Sequence, residues 1–133
     1  MSPNQRFHKH EHLRRRADFQ RVFARKCNVS DGVLVVYVAE NGLTWSRLGL
    51  SVSRRVGNAV RRNQVRRRIR EAFRTGNADI PNGFDIICVA LPKAAERGID
   101  VAHSLRSLVP EAIRGAERRE TASRARSNRD VAR

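Results

Sequence analysis

Apolar positions recur along this chain in two rhythms, and each marks a kind of element. Residues 33–39, VLVVYVA, are an unbroken apolar run, with Leu34, Val36 and Val38 on one side and Val33, Val35 and Tyr37 on the other. Such a run reads as a strand covered on both faces. Residues 47–53, RLGLSVS, alternate instead: Leu48, Leu50 and Val52 share one face, and Gly49, Ser51 and Ser53 the other. That second face is small and polar, which leaves room for something to lie over the sheet. Glu40-Asn41-Gly42 is turn chemistry, so these two strands are expected to run antiparallel across it. A third long strand is expected at 84–91, FDIICVAL, ended by Pro92, and a further short one near 27–30.

The helical period governs the rest. Phe19, Val22 and Phe23 form the apolar edge of a short helix over 17–25. Over 58–74, Val65, Ile69, Ala72 and Phe73 make one stripe, while Asn63, Arg66, Arg67, Arg70 and Arg74 fall together on the far side and Arg62 falls nearer the stripe. Asn58 is suited to cap this helix, Gly57 lets the chain turn in sharply, and Gly76 is a stop signal. Ala102, Leu105, Leu108, Val109 and Ile113 give a second long helix over about 99–119, which Pro110 is expected to kink or split. The order α, β, β, α, β, α, with one extra short strand, describes a single-domain α+β sandwich of helices on a small sheet. Residues 1–12 read as a flexible lead-in, 13–118 as the folded unit, and 119–133 as a basic, disordered tail.

Charge sharpens the picture. The 133 residues carry a net charge of +15, and all but Lys9, Lys26 and Lys93 of the 28 basic residues are arginines. Between Arg54 and Arg74 stands a single acid, Glu71. Like charges at i,i+4, such as Arg62/Arg66, Arg66/Arg70 and Arg70/Arg74, repel one another on an isolated helix. Keeping them there makes sense if a polyanion neutralises them, and nucleic acid is the leading partner. A membrane surface is disfavoured, since no basic helix carries a broad apolar face. No run of 18 apolar residues exists, and the N-terminus lacks the apolar core of a signal peptide, which points to the cytoplasm.

Catalytic chemistry is hard to assemble from these residues. The acids Asp18, Asp31, Glu40, Glu71, Asp79 and Asp85 are scattered, and His103 has no motif partner. Cys27 and Cys88 are isolated and read as semi-buried thiols of a reducing compartment. His8, His10 and His12 alternate without the spacing of a structural zinc site. Two binding surfaces suggest themselves instead. The Asn63/Arg66/Arg67/Arg70 face suits the phosphates of a folded RNA. Phe19, Phe23 and Tyr37, beside the Ser51/Ser53 face, could stack unpaired bases; three aromatics near one sheet are more often an ordinary core, and spacing alone favours that reading over stacking.

Residues 49–74, GLSVSRRVGNAVRRNQVRRRIREAFR, closely resemble the signature of the bacterial ribonuclease P protein subunit. The resemblance extends to ADFQRVF at 17–23, to the Tyr37 strand and to a closing strand and helix, roughly residues 13 to 115 in all. It implies an α+β sandwich with a left-handed β-α-β crossover, where the general handedness rule would give a right-handed one. It also implies a role in removing the 5′ leader of precursor tRNA, with catalysis carried by an RNA subunit that uses magnesium ions. By the same resemblance, Arg62, Asn63, Arg66, Arg67 and Arg70 contact that RNA subunit. Phe19, Phe23 and Tyr37 would line a cleft for the leader, with Ser51, Ser53, Arg54 and Arg55 along its edge. The partners implied are the catalytic RNA and precursor tRNA, with no small-molecule substrate and no membrane; the magnesium ions are held mainly by the RNA subunit and substrate, and no residue of the protein is assigned to a metal. The competing readings are a generic RNA-binding protein of ribosomal type, a protein-only nuclease and, weakest, a DNA-binding protein lacking any helix-turn-helix or zinc pattern.

Overall fold

A computed structural model describes residues 11–76 and 80–131, with side chains to residue 126. In chain order the elements are α1 (Arg16–Ala24), β1 (Asn28–Ser30), β2 (Leu34–Glu40), β3 (Arg47–Val52), α2 (Ala59–Gly76), β4 (Phe84–Ala90) and α3 (Val101–Val131). Short 3-10 turns at Arg54–Val56 and Pro92–Ala95 precede α2 and α3. The strands form one mixed sheet in the order β1-β2-β4-β3.

The expected β2–β3 neighbourhood is not what forms. β3 runs antiparallel to β2 but does not pair with it; β4 lies between them, antiparallel to β2 and parallel to β3. The connection from β2 to β3 therefore has to bridge two inter-strand spacings, about 10 Å. Asn41 organises that bridge. Its backbone N–H donates to Gly83 O at 2.9 Å, its Nδ2 donates to Trp45 O at 3.1 Å, and its Oδ1 accepts from Leu43 N at 2.8 Å. Buried Ser46 then pins the start of β3 to the chain entering β4, donating to Pro81 O at 2.7 Å and accepting from Phe84 N at 3.1 Å. The parallel β3–α2–β4 crossover that the resemblance implied is thereby in place.

The two faces of the sheet bury different partners. Leu34, Val36, Val38, Leu48, Val52, Ile86 and Cys88 face α2 and α3, meeting Val65, Ile69 and Phe73 of the former and Leu105, Val109 and Ile113 of the latter. The opposite face holds a smaller cluster of Leu13, Val22, Ala39 and Ile87 under α1. Both cysteines are free and buried, and burial pushes the Cys88 thiol up to about 12.

Three boundaries differ from expectation. The lead-in to 12 lies outside the described residues only to residue 10: Glu11 is buried, His12 bridges to Leu48, and Leu13 N donates to Leu48 O at 2.8 Å. This segment lies along the free edge of β3 and leaves less of it unpaired. Pro110 does not split α3, whose Leu108, Val109, Ala112 and Ile113 are buried on either side of it; that packing offsets the missing backbone donor. The tail from 119, expected to be disordered, continues α3 to Val131. Alanine, arginine and glutamate are good helix formers, and Glu120 and Arg124 pair at i,i+4, with Nη2 to Oε1 at 2.6 Å.

Asp85 is the one fully buried acid of the sheet. It sits on the α1 face at the start of β4 and is in register with Ala39 and Arg47. Arg47 holds it bidentately, Nε to Oδ1 and Nη2 to Oδ2, both at 2.7 Å. Asn41 Nδ2 donates to Oδ1 at 3.0 Å, and Arg21 Nη2 of α1 donates to Oδ2. These donors fill the acceptor sites of a carboxylate. The bond to Asp85 also raises the Arg47 pKa. Removing one partner of a buried ion pair strands the other. Asp85→Ala is therefore expected to cost about 3 kcal/mol, the low end of the range because Arg21 and Arg47 can turn toward water. Urea unfolding checks it; a loss too small to resolve would mean that the cluster does not hold α1 to the sheet.

Candidate nucleic-acid interface

α2 begins where the chain leaves β3 through the exposed Arg54 and Arg55, with Val56 buried as the anchor of the turn. Gly57 takes φ +151, a region that favours glycine, and a Cβ there would lie 2.9 Å from the Arg61 stem. Asn58 caps the helix as expected, its Oδ1 accepting from Arg61 N at 3.0 Å. Val65, Ile69, Ala72 and Phe73 then bury the inner stripe.

The outer arc carries Asn63, Arg66, Arg67, Arg70, Glu71 and Arg74, which together line a shallow recess of about 320 Å³. Arg66 Nη1 donates to Asn63 Oδ1 at 2.9 Å, which pre-orients one guanidinium without neutralising it. Arg74 is different: Nε donates to Glu71 Oε2 at 3.1 Å and Nη2 to Oε1. That pairing lowers the Glu71 pKa and raises that of Arg74. Among the described residues Arg66, Arg67 and Arg70 form no ion pair with a carboxylate, so their charge faces outward. Arg62 stands apart, half-buried toward the stripe side, with its Nε buried and unpartnered. The structure thus brings together four of the five predicted helix residues and leaves Arg62 off their face.

The aromatic surface forms on the other side of the sheet. Phe23 meets Tyr37 edge to face with centroids 4.8 Å apart, and Phe19 lies 6.3 Å from Phe23. All three are half-buried around the small cluster under α1. The room over Gly49 is taken by Phe19: a Cβ at position 49 would stand 2.7 Å from Phe19 Cζ and 3.3 Å from Leu13 Cβ. The open part of the face is the next row, where Ser51, Val89 and Val35 are in register and half-exposed. Ser53 and the two arginines of the turn continue β3 beyond that row and are exposed.

Val35 and Val89 were not singled out from the sequence. Val35 shares strand parity with Tyr37, which was legible; Val89 shares it with Ile87, but only the placement of β4 at the centre sets it beside Ser51. The junction of the two surfaces was not legible either. His12, Arg14, Phe19, Leu50, Arg66 and Arg70 line a cavity of about 340 Å³ at the β3 edge. There the arginine face and Phe19 become one continuous surface. Burial and the charges of Arg14 and Arg70 lower the His12 pKa, with a smaller opposing effect of Glu11. Among the described residues no three His, Cys, Asp or Glu side chains come together as a ligand set, and the Asp85 oxygens are already taken by arginine and asparagine donors. Among those residues no helix is long and apolar enough to cross a membrane.

The molecule is thus a small, strongly basic α+β sandwich with an arginine helix beside an aromatic patch of the sheet. The family model for ribonuclease P matches residues 7–111. The ribonuclease P protein component of Thermotoga petrophila is 41% identical over 90 residues, covering 68% of this chain and 77% of the relative. The solved structure of the Staphylococcus aureus RNase P protein is similar with a TM-score of 0.70 at 35% identity, covering 77% of this chain and 94% of that one. The Thermotoga maritima RNase P protein gives 0.67 at 36%, covering 73% and 93%. The chain belongs to the ribonuclease P protein component family.

Gly49 sets how closely Phe19 packs on the sheet. Gly49→Ala is expected to push the Phe19 ring aside at a cost of about 1 kcal/mol, since the half-exposed ring can swing outward. Aromatic NMR shifts of Phe19 and a denaturation curve check both parts; unchanged Phe19 shifts would show that the ring does not lie over Gly49.

Proposed function

We propose that this chain is the RNA-binding protein subunit of ribonuclease P, acting in the cytoplasm on removal of the 5′ leader from precursor tRNA. The observation that carries the proposal is the outward-facing set Asn63, Arg66, Arg67 and Arg70 on a helix whose single acid, Glu71, is already paired with Arg74. Guanidiniums bind phosphate oxygens bidentately and need no base sequence to do so. On this reading that face, with Arg62 acting from the first turn, contacts the catalytic RNA subunit. Phe19, Phe23 and Tyr37 contact the leader, with Val35, Val89 and Ser51 as floor and Ser53, Arg54 and Arg55 as rim. Aromatic rings beside half-exposed small residues offer stacking surfaces to unpaired bases without a sequence requirement.

The protein supplies no acid, base or metal ligand to the cleavage step in this reading. Magnesium ions belong to the RNA subunit and substrate and supply the activated water there. The protein's task is electrostatic. Two polyanions must be brought together, and a cationic wedge touching both lowers their repulsion. The same neutralisation broadens tolerance to substrate and to metal concentration, because fewer divalent ions are then needed for the same screening.

Cleavage of a tRNA precursor by ribonuclease P RNA, with and without this protein, tests the proposal. The protein is expected to raise cleavage strongly at low millimolar magnesium and near-physiological salt, to have little effect at high magnesium, and to cut nothing alone. Stimulation independent of magnesium would contradict the electrostatic task, and cleavage by the protein alone would make it a nuclease in its own right.

A further inference from the structure

The arginines of α2 are not confined to the face described above. Arg61 and Arg68 project on the other flank, seven residues apart and so about 10 Å along the helix axis. There they meet the segment between β4 and α3. Arg61, Gln64, Arg68 and Arg97 line a cavity of about 430 Å³ over a floor that includes Val65 and Ile99. A second recess of about 600 Å³ shares Arg68, Gly98 and Ile99 and extends the groove along α2 to Thr75 and Arg106, where Arg106 Nη2 reaches Thr75 Oγ1 at 3.4 Å.

Three carboxylates border this groove, and none of them neutralises its arginines. Glu96 lines the first cavity but forms no ion pair among the described residues. Glu71 is engaged by Arg74, and Asp100 Oδ1 accepts from His103 N at 3.0 Å as the cap of α3. Arg61, Arg68 and Arg97 therefore converge on one concavity with excess positive charge. Guanidiniums about 10 Å apart are only weakly coupled in water, but a phosphate chain lying between them would meet all of them at once. A concave, polar, cationic groove with an apolar floor suits a ribose-phosphate backbone better than a flat solvated face would.

We propose that the α2–α3 groove, through Arg61, Arg68 and Arg97, is a second RNA-backbone site on the flank opposite the Asn63/Arg66/Arg70 face. It rests on the RNA-binding reading and extends it: α2 is gripped by RNA phosphates on two sides, from one RNA or from two. Arg68 and Arg97 are exposed, so Arg68→Gln with Arg97→Gln removes two charges without touching the core. Arg61→Gln is kept separate, because its stem packs on Gly57.

The test is equilibrium binding of the full chain to ribonuclease P RNA, then of the assembled complex to a tRNA precursor, each across a range of salt concentrations. The double variant is expected to lose about tenfold in affinity at physiological salt and to reduce the salt slope by about two. Arg68→Lys with Arg97→Lys should restore most of the slope, since the charges remain. A loss in the first arm places the groove on the RNA subunit; a loss in the second arm alone places it on the precursor. Arg66→Gln is the reference. If Arg66→Gln weakens binding and the groove variants do not, the groove is a solvated surface and this inference fails alone. If neither weakens binding, the RNA-binding reading fails with it.

Discussion

A single buried carboxylate determines where the parts of this protein sit. Asp85 lies at the start of the central strand with no exposed surface, and its oxygens are taken up by Arg47 of β3, Asn41 of the β2–β3 connection and Arg21 of α1. Each donor comes from a different element, so satisfying one acid fixes three positions at once. Arg21 also donates through Nη1 to Glu40 O at 3.0 Å, which ties α1 to the end of β2 as well. The apolar cluster under α1 is small, with Val22 its one fully buried helical residue, and cannot by itself hold a nine-residue helix in a defined place. The carboxylate supplies that definition, and through α1 it sets Phe19 and Phe23 over the sheet. Any other docking of α1 would leave Asp85 with Arg47 and Asn41 but without its Arg21 donor, so the charge-assisted bond from Arg21 favours the observed place of the helix.

Much of this was legible from the chain alone, for identifiable reasons. The stripe Val65, Ile69, Ala72 and Phe73 is buried as the wheel requires, Asn58 caps α2, and Arg62 leans toward the packed side. Local rules govern all of these. What escaped depends on non-local pairing. Nothing near residues 47–53 says that β4 will come between β3 and β2, and a short turn sequence invited the simpler hairpin. Asp85 reads as an ordinary charged position until its partners, 38 and 64 residues away, are known. The row Gly49, Ser51, Ser53 was rightly seen as small, yet at Gly49 the space belongs to Phe19 of the same chain. In α3, Pro110 read as a break because local chemistry was weighed without the packing on both sides of it.

With the frame fixed, α2 acts as a divider. Its inner stripe closes the larger core, and its outer arc has more guanidiniums than acids to pair with them. The arc meets the aromatic face around the β3 edge, where Arg14, Phe19, Arg66 and Arg70 line one cavity. An RNA on the arginine face and a single strand on the aromatic face would thus be neighbours, held at a fixed separation by the sheet between them. On the proposed function, that arrangement would set two nucleic acids at a defined distance and remove part of their repulsion, which is how a small domain with no catalytic constellation among its described residues would assist a cleavage reaction.

On the proposed function, two surfaces on one rigid frame divide the labour. The most direct test of that division is affinity of the assembled ribonucleoprotein for precursor tRNA with and without a 5′ leader, alongside affinity of the free protein for the RNA subunit, in Phe19→Ala and Arg66→Ala. The account requires Phe19→Ala to erase the affinity gained from the leader while leaving RNA-subunit binding intact, and Arg66→Ala to do the reverse. If both substitutions weakened both measurements alike, the two faces would be one undivided surface and the division would be wrong.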